Sequence, residues 1–401
     1  MTDVLSILDG AVDARVLVYG SLPPEGRDLD LLARPAQETQ LAEALERAGF
    51  ERHGRTWARF HDCGVDVVEV TPATGWRLPE RELEALFDDA TPLAGATSIV
   101  APSAPHTLLI LARLLGRRGL PEKRRARFER AAATAGAWDE ARSRAAAWGV
   151  EAQLAELAGG APAHRAPRRP KRGHIVALSG LDGAGKSTQA RHLAATLERL
   201  GHEVVVIWTP LASNPGLKKL SGPARAVLGL LARRGLGGDV ARRSVEGESL
   251  VAVPDAGHGG RAKTTITLAW ATLVALANAA SQARRAAPHL ARGRVVIFDR
   301  YVLDSAVHLR YLYGEQHGFR IQEGLVRLLS PKPLRAFFLD AEPATVAARK
   351  RLQYDLGQLQ AQVDLYRANC ARLGVARVDG EQPLEEVCRR LARDVWLALP
   401  D

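Results

Sequence analysis

A glycine-rich loop at residues 180–188, GLDGAGKST, is the feature that most constrains the fold of this chain. It follows an apolar run, Ile175–Leu178, and precedes a segment, 188–201, with apolar residues at helical spacing. A strand, a glycine-rich loop and a helix in this order place backbone N–H groups around phosphate oxygens. Lys186 is expected to reach the β- and γ-phosphates, and Ser187 to ligate Mg²⁺. The predicted nucleotide-binding residues are Gly180, Asp182, Gly183, Ala184, Gly185, Lys186, Ser187 and Thr188.

Three more apolar runs are typical of buried strands: Arg294–Tyr301, Ala336–Asp340 and Val375–Gly380. The first ends in Asp-Arg-Tyr, and a carboxylate at such a strand end is where a phosphate-loop fold holds its metal. Taken alone, an Asp-Arg pair is also typical of a surface ion pair. Together with the loop, the runs predict an α/β fold with a parallel sheet flanked by helices, and Asp299 as a metal ligand.

From residue 174 to about 398 the chain resembles the thymidylate kinase family of nucleoside monophosphate kinases. The resemblance rests on the DGAGKSTQ loop, the Asp-Arg-Tyr motif, the Leu339-Asp340 strand end and the Val378-Asp379-Gly380 turn. It implies ATP as the phosphate donor, with Mg²⁺ as cofactor. It also implies that Asp299 serves the metal region, that Arg300 binds the acceptor monophosphate and that Asp182 faces the acceptor sugar.

The same resemblance implies a catalytic arginine either in the phosphate loop or in a lid. The loop position holds Gly183, so attention falls on the basic segment Ala347–Arg351. Phosphoryl transfer needs positive charge near the transferred oxygens, which makes Arg349, Lys350 and Arg351 candidate lid cations. A solvated helix face is the alternative reading of this segment.

The acceptor half departs from the family pattern. Where thymidylate kinases place a base-stacking phenylalanine and a phosphate-binding arginine, this chain has Ala275 and Ala279, or Val274 and Asn278 in a register shifted by one. The segment 208–216 also lacks the arginine that clamps the monophosphate. A buried dianion needs paired cations, so thymidylate is expected to be a poor acceptor.

The first part of the chain carries a second pattern. A strand ending in Gly20-Ser21 is followed by Asp28 and Asp30, whose spacing puts both carboxylates on one face of a strand, and a third run carries Asp66. This arrangement resembles the nucleotidyltransferase superfamily. The resemblance implies that Asp28 and Asp30 bind Mg²⁺ and that Asp66 is the third acid. An inactive or structural module is the alternative.

The domain organisation follows from a break in composition. Residues 159–173, GGAPAHRAPRRPKRG, combine glycine, proline and basic residues and are expected to form a linker. It separates a nucleotidyltransferase-like domain at 1–158, with strands to about 72 and a helical part at about 80–158, from a thymidylate kinase-like domain at 174–401. A glycine-rich insertion at about 235–263 is expected to be a lid or a disordered segment.

Charge and composition argue against several classes of protein. The net charge of +10 comes from scattered arginines without interleaved aromatic residues, so nucleic acid is not expected as a partner and nucleotide substrates are. Three distant cysteines indicate neither a zinc site nor a disulfide framework, as is typical of a cytoplasmic protein. The longest apolar run, Ile266–Ala280, is too short and too polar to span a membrane. The sequence leaves open whether two copies of the chain form a homodimer.

Two functional hypotheses remain. In the first, the C-terminal domain is an ATP-dependent kinase acting on a nucleotide or a related acceptor, and the N-terminal domain adds nucleotidyl transfer. In the second, the phosphate loop belongs to a nucleotide-gated module that controls a degenerate nucleotidyltransferase scaffold. The lid arginines separate the two, because only a kinase needs them at the transferred phosphate.

Overall fold

The computed structural model describes residues 2–22, 28–115, 120, 122–159, 172–209, 261–313, 320–350 and 356–400. The chain divides into two compact units, formed mainly by residues 1–169 and mainly by residues 170–400. This division falls inside the segment 159–173 that the sequence predicts as a linker. Residues 160–171 of that segment lie outside the described ranges.

The first unit is built on a mixed seven-stranded sheet, with strand order β3-β4-β5-β2-β1-β7-β6. Parallel pairs join β1 to β7 and β2 to β5, and the other neighbours are antiparallel. The strands are β1 Val16–Val18, β2 Leu29–Ala33, β3 Glu51–His53, β4 Thr56–His61, β5 Gly64–Pro72, β6 Thr91–Pro92 and β7 Ile99–Ala101.

Helices cover both faces of this sheet. Side chains alternate along β1, so that Val16 and Val18 pack into one apolar core and Leu17 packs into another. The first core includes α1 Thr2–Asp9 and α2 Pro35–Arg47. The second includes the helical part, which comprises α3 Glu80–Asp88, α4 Ala104–Arg113, α5 Arg125–Ala132, α6 Ala137–Trp148 and α7 Glu151–Ala158.

The short strands β6 and β7 lie inside the range for which the sequence predicts helices. Pairing with β1 stabilises β7, and the backbone N–H of Val16 also donates to the Ser98 carbonyl. Strands of two or three residues are too short to show a periodic apolar pattern, so their existence depends on these long-range pairs.

The second unit contains a five-stranded parallel sheet with strand order β12-β11-β8-β10-β9. Its strands are β8 His174–Gly180, β9 Val204–Trp208, β10 Val295–Asp299, β11 Arg335–Asp340 and β12 Ala376–Asp379. Helices flank the sheet, and the predicted α/β class is confirmed. The strand β8 is central, which places the loop that follows it between the ends of β10 and β11.

The helices of the second unit connect these strands. They are α8 Lys186–Arg199, α9 Arg261–Leu290, α10 Val302–Tyr313, α11 Arg320–Leu329, α12 Pro343–Lys350, α13 Leu356–Cys370 and α14 Leu384–Trp396. Most of the predicted insertion at 235–263 lies outside the described residues, and its last three residues begin α9. Among the described helices, none is both long and apolar enough to cross a lipid bilayer.

Candidate functional site

The phosphate loop, residues 180–188, joins β8 to α8. Gly180, Gly183 and Gly185 have φ angles of 147°, 103° and 91°, in a region that favours glycine. A Cβ atom on Gly180 would also lie 2.7 Å from the Leu339 carbonyl oxygen of the neighbouring strand. The backbone therefore takes a path that these three glycines permit.

Lys186 begins α8 and is buried, with only 4% of its surface exposed. Its Nζ atom donates hydrogen bonds to the carbonyl oxygens of Gly180 at 2.9 Å and Leu181 at 2.7 Å. Burial, followed by the positive charge of Arg300, lowers the pKa of Lys186 to about 8. The ammonium group is thus held inside the loop.

Ser187 and Asp299 meet although 112 residues separate them in the chain, and the Ser187 hydroxyl donates to Asp299 Oδ2 at 2.5 Å. Asp299 is buried at the end of β10, and its other oxygen, Oδ1, has no hydrogen-bond partner among the described residues. A buried carboxylate oxygen without a donor is costly unless a cation completes its surroundings. A hydroxyl beside a carboxylate is an oxygen donor set that suits Mg²⁺, so these residues fit the predicted metal.

Arg300 follows Asp299 in a left-handed backbone conformation, with a φ of 79°. Such a conformation is uncommon outside glycine and is often found at functional sites. Its backbone N–H donates to the Leu178 carbonyl at 2.9 Å, and its Nη2 donates to Asp182 Oδ1 at 3.1 Å. The structure therefore brings together the two residues that the family resemblance places on the acceptor side.

Asp304, on the first turn of α10, is a residue that the sequence reasoning missed. Its side chain is fully buried. Oδ1 accepts from the Gly180 N–H at 3.3 Å and from the Tyr366 hydroxyl at 2.8 Å, and Oδ2 accepts from the Tyr301 N–H at 2.9 Å. One carboxylate thus ties the start of the phosphate loop to α10 and α13. No local motif selects it, because its contact with Gly180 depends on the order of strands in the sheet.

His308, also on α10, is a second missed residue. Burial, together with the positive charge of Arg300, lowers the pKa of His308 to about 4. Its imidazole is therefore neutral at physiological pH. A single histidine inside a helical pattern gives no spacing signal, and only the fold places it near Arg300.

Of the three predicted lid cations, the structure describes the side chain of Arg349. Arg349 is exposed on α12, and its Nη2 lies 3.5 Å from the Gly380 carbonyl oxygen. The Lys350 side chain and all of Arg351 lie outside the described residues. The arrangement therefore puts Arg349 beside the turn after β12.

The acceptor positions lie on α9. Ala279 and Asn278 are both buried. The structure does not describe the side chains of Val274 and Ala275. At the end of β9, the Trp208 side chain is 59% exposed, and its carbonyl accepts from Arg285 Nη1 at 3.1 Å. The rest of the predicted clamp segment lies outside the described residues.

The first unit brings three carboxylates together: ligand oxygens of Asp28, Asp30 and Glu69 lie within 4.8 Å of one another. Asp30 and Glu69 are paired residues of the neighbouring parallel strands β2 and β5. Three carboxylates offer the hard oxygen ligands that Mg²⁺ takes. The predicted pair, Asp28 and Asp30, is thus assembled with a third acid that the sequence reasoning did not select.

Asp66 lies away from this cluster, which corrects its predicted place beside the pair. Its Oδ2 accepts from Arg59 Nη2 at 2.9 Å, and the same guanidinium reaches Asp3 of α1. Residues 66 and 69 are an odd number of positions apart on β5, so their side chains point to opposite faces. Asp66 faces α1, whereas Glu69 faces Asp30.

Gly20 is required by close packing at this cluster. A Cβ atom there would lie 1.9 Å from Asp30 Oδ2. The preceding residue, Tyr19, donates or accepts a hydrogen bond with Thr71 at 3.0 Å. Burial, and then the negative charge of Asp30, raises the pKa of Tyr19 to about 12. The Gly-Ser strand end is therefore shaped around the Asp30 carboxylate.

Comparison with known proteins identifies relatives, although no family model matches the chain. A thymidylate kinase of Xanthomonas euvesicatoria is 30% identical over 236 residues, which cover 57% of this chain and 86% of that protein. A thymidylate kinase of Symbiobacterium thermophilum is 29% identical over 237 residues, covering 56% and 94%. A probable thymidylate kinase of Pyrococcus horikoshii is 29% identical over 196 residues, covering 49% and 78%.

Proposed function

Because this chain belongs to the thymidylate kinase family, we propose that its second unit is an ATP-dependent phosphotransferase. It transfers the γ-phosphate of ATP to a nucleoside monophosphate or a related acceptor. The observation that carries this proposal is the contact between Ser187 of the phosphate loop and Asp299 at the end of β10, beside a buried Lys186. These groups together can receive a triphosphate and its metal ion.

The donor half is assigned as follows. Lys186 and the loop N–H groups bind the β- and γ-phosphates, and Lys186 leaves the Gly180 and Leu181 carbonyls to do so. Ser187 and Asp299 hold Mg²⁺, which when bound offsets the negative charge on the phosphates. The remaining predicted loop residues, from Gly180 to Thr188, are proposed to surround the phosphate oxygens of the nucleotide.

The acceptor half is assigned to Arg300 and Asp182, which are joined by an ion pair of 3.1 Å. Arg300 offers a fixed cation to an acceptor phosphate, and Asp182 faces the acceptor hydroxyl groups. The small residue at position 279 argues against a thymidylate-type clamp. The proposed acceptor is therefore a nucleotide or another phosphorylated or sugar-like molecule whose binding does not depend on an arginine at position 279.

Arg349 and Arg351 are proposed as the cations that approach the transferred phosphate. Their place in the chain, at the end of α12 and just after it, supports this role. Phosphoryl transfer concentrates charge on the equatorial oxygens, and the loop has Gly183 at the position where the family resemblance allows a catalytic arginine.

Nucleotidyl transfer by the first unit is a second proposed function. The assembly of Asp28, Asp30 and Glu69 favours it, because β2, the residue before it and β5 place three acids at one point. In this proposal the acids hold Mg²⁺, and Glu69 takes the part that the sequence assigns to Asp66. The competing proposal is a degenerate scaffold controlled by nucleotide bound to the second unit.

The kinase proposal is tested by incubating the full chain with γ-labelled ATP, Mg²⁺ and a panel of nucleoside monophosphates and sugars. We expect one acceptor class to gain label, and Lys186→Ala to abolish the transfer. Arg199→Ala, which removes an exposed charge from the last turn of the same helix, serves as the control. Undiminished transfer by Lys186→Ala would rule out the proposed donor site.

A further inference from the structure

The turn that follows β12 is packed against the end of β11. The backbone N–H of Gly380 donates to the Asp340 carbonyl at 2.7 Å, and the N–H of Glu381 donates to Asp379 Oδ1 at 2.9 Å. A Cβ atom on Gly380 would lie 3.0 Å from the Asp340 carbonyl oxygen, a closer contact than most side chains make. The backbone that carries Glu381 is therefore fixed at the same edge of the sheet as the phosphate loop.

Glu381 directs its side chain at the start of α12. Its Oε1 atom accepts from the backbone N–H of Glu342 at 2.9 Å, and its Oε2 atom accepts from the Thr345 hydroxyl at 2.8 Å. In a local capping box, a glutamate in the first turn of a helix binds the N–H at the helix start. Here that position holds Thr345, and the carboxylate comes from 36 residues further along the chain. Glu381 therefore caps α12 from outside the helix and joins it to the turn after β12.

A second element holds the same end of α12. The Nε atom of Arg367, on α13, donates to both carboxylate oxygens of Asp340 at 3.1 Å, and its Nη2 atom donates to Glu342 Oε1. Asp340 is itself buried at the end of β11. The residue before α12 is thus bound through its backbone by Glu381 and through its side chain by Arg367.

The other end of α12 carries Arg349, one of the proposed lid cations. This helix has eight residues, Pro343–Lys350, and a helix of that length is marginal in isolation, so its position depends on contacts with neighbouring elements. Side chains on a helix lean towards its N-terminus, and Arg349 Nη2 lies 3.5 Å from the Gly380 carbonyl oxygen. The strand order places this turn two strands from the phosphate loop, a distance of about 10 Å. The contacts of Glu381 therefore help to set where the Arg349 guanidinium lies relative to that loop.

We infer that Glu381 is a positioning residue for phosphoryl transfer and that it acts through Arg349. Its carboxylate holds the start of α12 against the turn after β12, and the helix in turn presents Arg349 towards the transferred phosphate. This role rests on the proposed kinase function of the second unit, whereas the contact itself rests on two hydrogen bonds. A group misplaced by about 1 Å can cost about a hundredfold in rate, so a cap far from the reacting atoms can affect transfer.

The test measures kcat for transfer from ATP to the preferred acceptor and, separately, ATP affinity by isothermal titration calorimetry. We expect Glu381→Ala to lower kcat about tenfold or more and to leave the Kd for ATP within about threefold of the wild type. The reason is that a cation acting on the transferred phosphate contributes mainly in the transition state. A loss confined to ATP affinity would contradict the inference.

Two further variants alter the same contact, and a third serves as the control. Glu381→Gln should keep kcat within about threefold of the wild type, since its amide oxygen can accept from Glu342 and its NH₂ group can donate to Thr345. Thr345→Val removes one of the two bonds from the helix side and should lower kcat severalfold. Glu385→Ala is the matched control, because it removes an exposed carboxylate from the first turn of α14 and leaves Glu381 in place.

A double-mutant cycle separates positioning from stability. If Glu381 acts through Arg349, Glu381→Ala should lower kcat by less than about twofold in a chain that already carries Arg349→Ala. Losses that multiply would show that the two residues act independently and would overturn the inference, as would an unchanged kcat in either single variant. Glu381 is exposed, so we expect these variants to fold, which circular dichroism checks. If Glu381→Ala does not fold, Thr345→Val takes its place in the cycle.

Failure of the proposed function gives a different result from failure of this role. A wild-type chain that transfers no phosphate to any acceptor contradicts the kinase proposal, and the positioning role falls with it. Transfer that persists undiminished in Glu381→Ala contradicts the positioning role alone. Hydrogen exchange of the α12 amides adds a measurement that needs no activity: Glu381→Ala should exchange faster there than the wild type, and Glu381→Gln should not. Equal exchange in Glu381→Ala and the wild type would show that Glu381 does not hold the helix.

Discussion

Lys186 carries its charge into a buried position where two carbonyl oxygens are its hydrogen-bond partners. Its pKa falls from 10.5 to about 8, mainly because burial disfavours the ammonium form. That difference corresponds to about 3 kcal/mol of stability that the nucleotide-free protein loses when the group is charged. Phosphate oxygens would reverse this effect, so the site favours an anion before any anion binds.

The first prediction concerns the pH dependence of stability. Because the pKa of Lys186 is lower in the folded state, the unfolded state binds more protons between about pH 8 and 10.5, and stability should rise with pH in that window. Lys186→Met should lack this rise. The measurement is urea denaturation of both proteins at several pH values without nucleotide. Parallel stability curves for the two would show that the ammonium is not buried in solution.

A second prediction separates Glu69 from Asp66. Neutralising one of three neighbouring carboxylates relieves repulsion, so Glu69→Gln should keep or raise the melting temperature of the metal-free protein. It should also remove stabilisation by Mg²⁺. Asp66→Asn should instead lose the ion pair with Arg59 and keep the response to Mg²⁺. Differential scanning calorimetry with and without Mg²⁺ measures both variants. Loss of the response to Mg²⁺ in Asp66→Asn, together with its retention in Glu69→Gln, would restore Asp66 as the third acid.

Among the elements, the phosphate loop is anchored by a helix that follows a different strand. Asp304 on α10 accepts from Gly180 in β8 and from Tyr366 in α13, so that three elements share one carboxylate. The loop conformation is therefore coupled to α10, which also carries His308 close to Arg300.

The third prediction follows from this coupling. Asp304→Asn replaces one acceptor oxygen by an NH₂ group that faces a donor, and we expect a loss of about 1–3 kcal/mol in the free energy of unfolding. ATP affinity should fall as well. Tyr366→Phe removes a single bond to the same carboxylate and should cost less. Urea denaturation and ATP titration measure both effects, and unchanged ATP affinity in a folded Asp304→Asn protein would contradict the coupling.

The fourth prediction concerns α9, which holds Ala279 at a predicted phosphate-clamp position. Loss of a stacking contact costs about 1 kcal/mol, and loss of a charge-assisted contact about 2 more. The value of kcat/KM for thymidylate should therefore be roughly a hundredfold below that of a thymidylate kinase with both groups. Steady-state assays of this chain and of a thymidylate kinase that carries both groups give the comparison. Equal efficiency would show that other residues bind thymidylate here.

Local motifs predicted several residues that the structure brings together at strand ends. The spacing of the loop and the Asp-Arg-Tyr motif predicted residues that the structure brings together, as the contacts of Asp299 with Ser187 and of Arg300 with Asp182 show. Glu69 and Asp304 could not be selected in this way. The proximity of Glu69 to Asp30 depends on the register in which β5 pairs with β2, and the contact of Asp304 with Gly180 depends on the order of strands in the sheet.

At the scale of the whole molecule, each unit has its own sheet and its own buried carboxylates, which include Asp30 in the first unit and Asp299 in the second. The second unit shares its family with kinases, and the first unit brings three carboxylates together. Two active units in one chain would allow one molecule to act on two phosphate-bearing substrates. We propose phosphoryl transfer for the second unit alone.

One measurement tests this assignment most directly. Transfer of the γ-phosphate of ATP to the preferred acceptor is measured for the full chain, for Asp299→Asn and for Asp28→Asn, with folding checked by circular dichroism. Both substitutions remove one carboxylate charge, and they differ in the unit that they alter. We expect Asp299→Asn to lose transfer by at least a hundredfold and Asp28→Asn to retain it. Retained transfer in Asp299→Asn, or an equal loss in both proteins, would contradict this assignment.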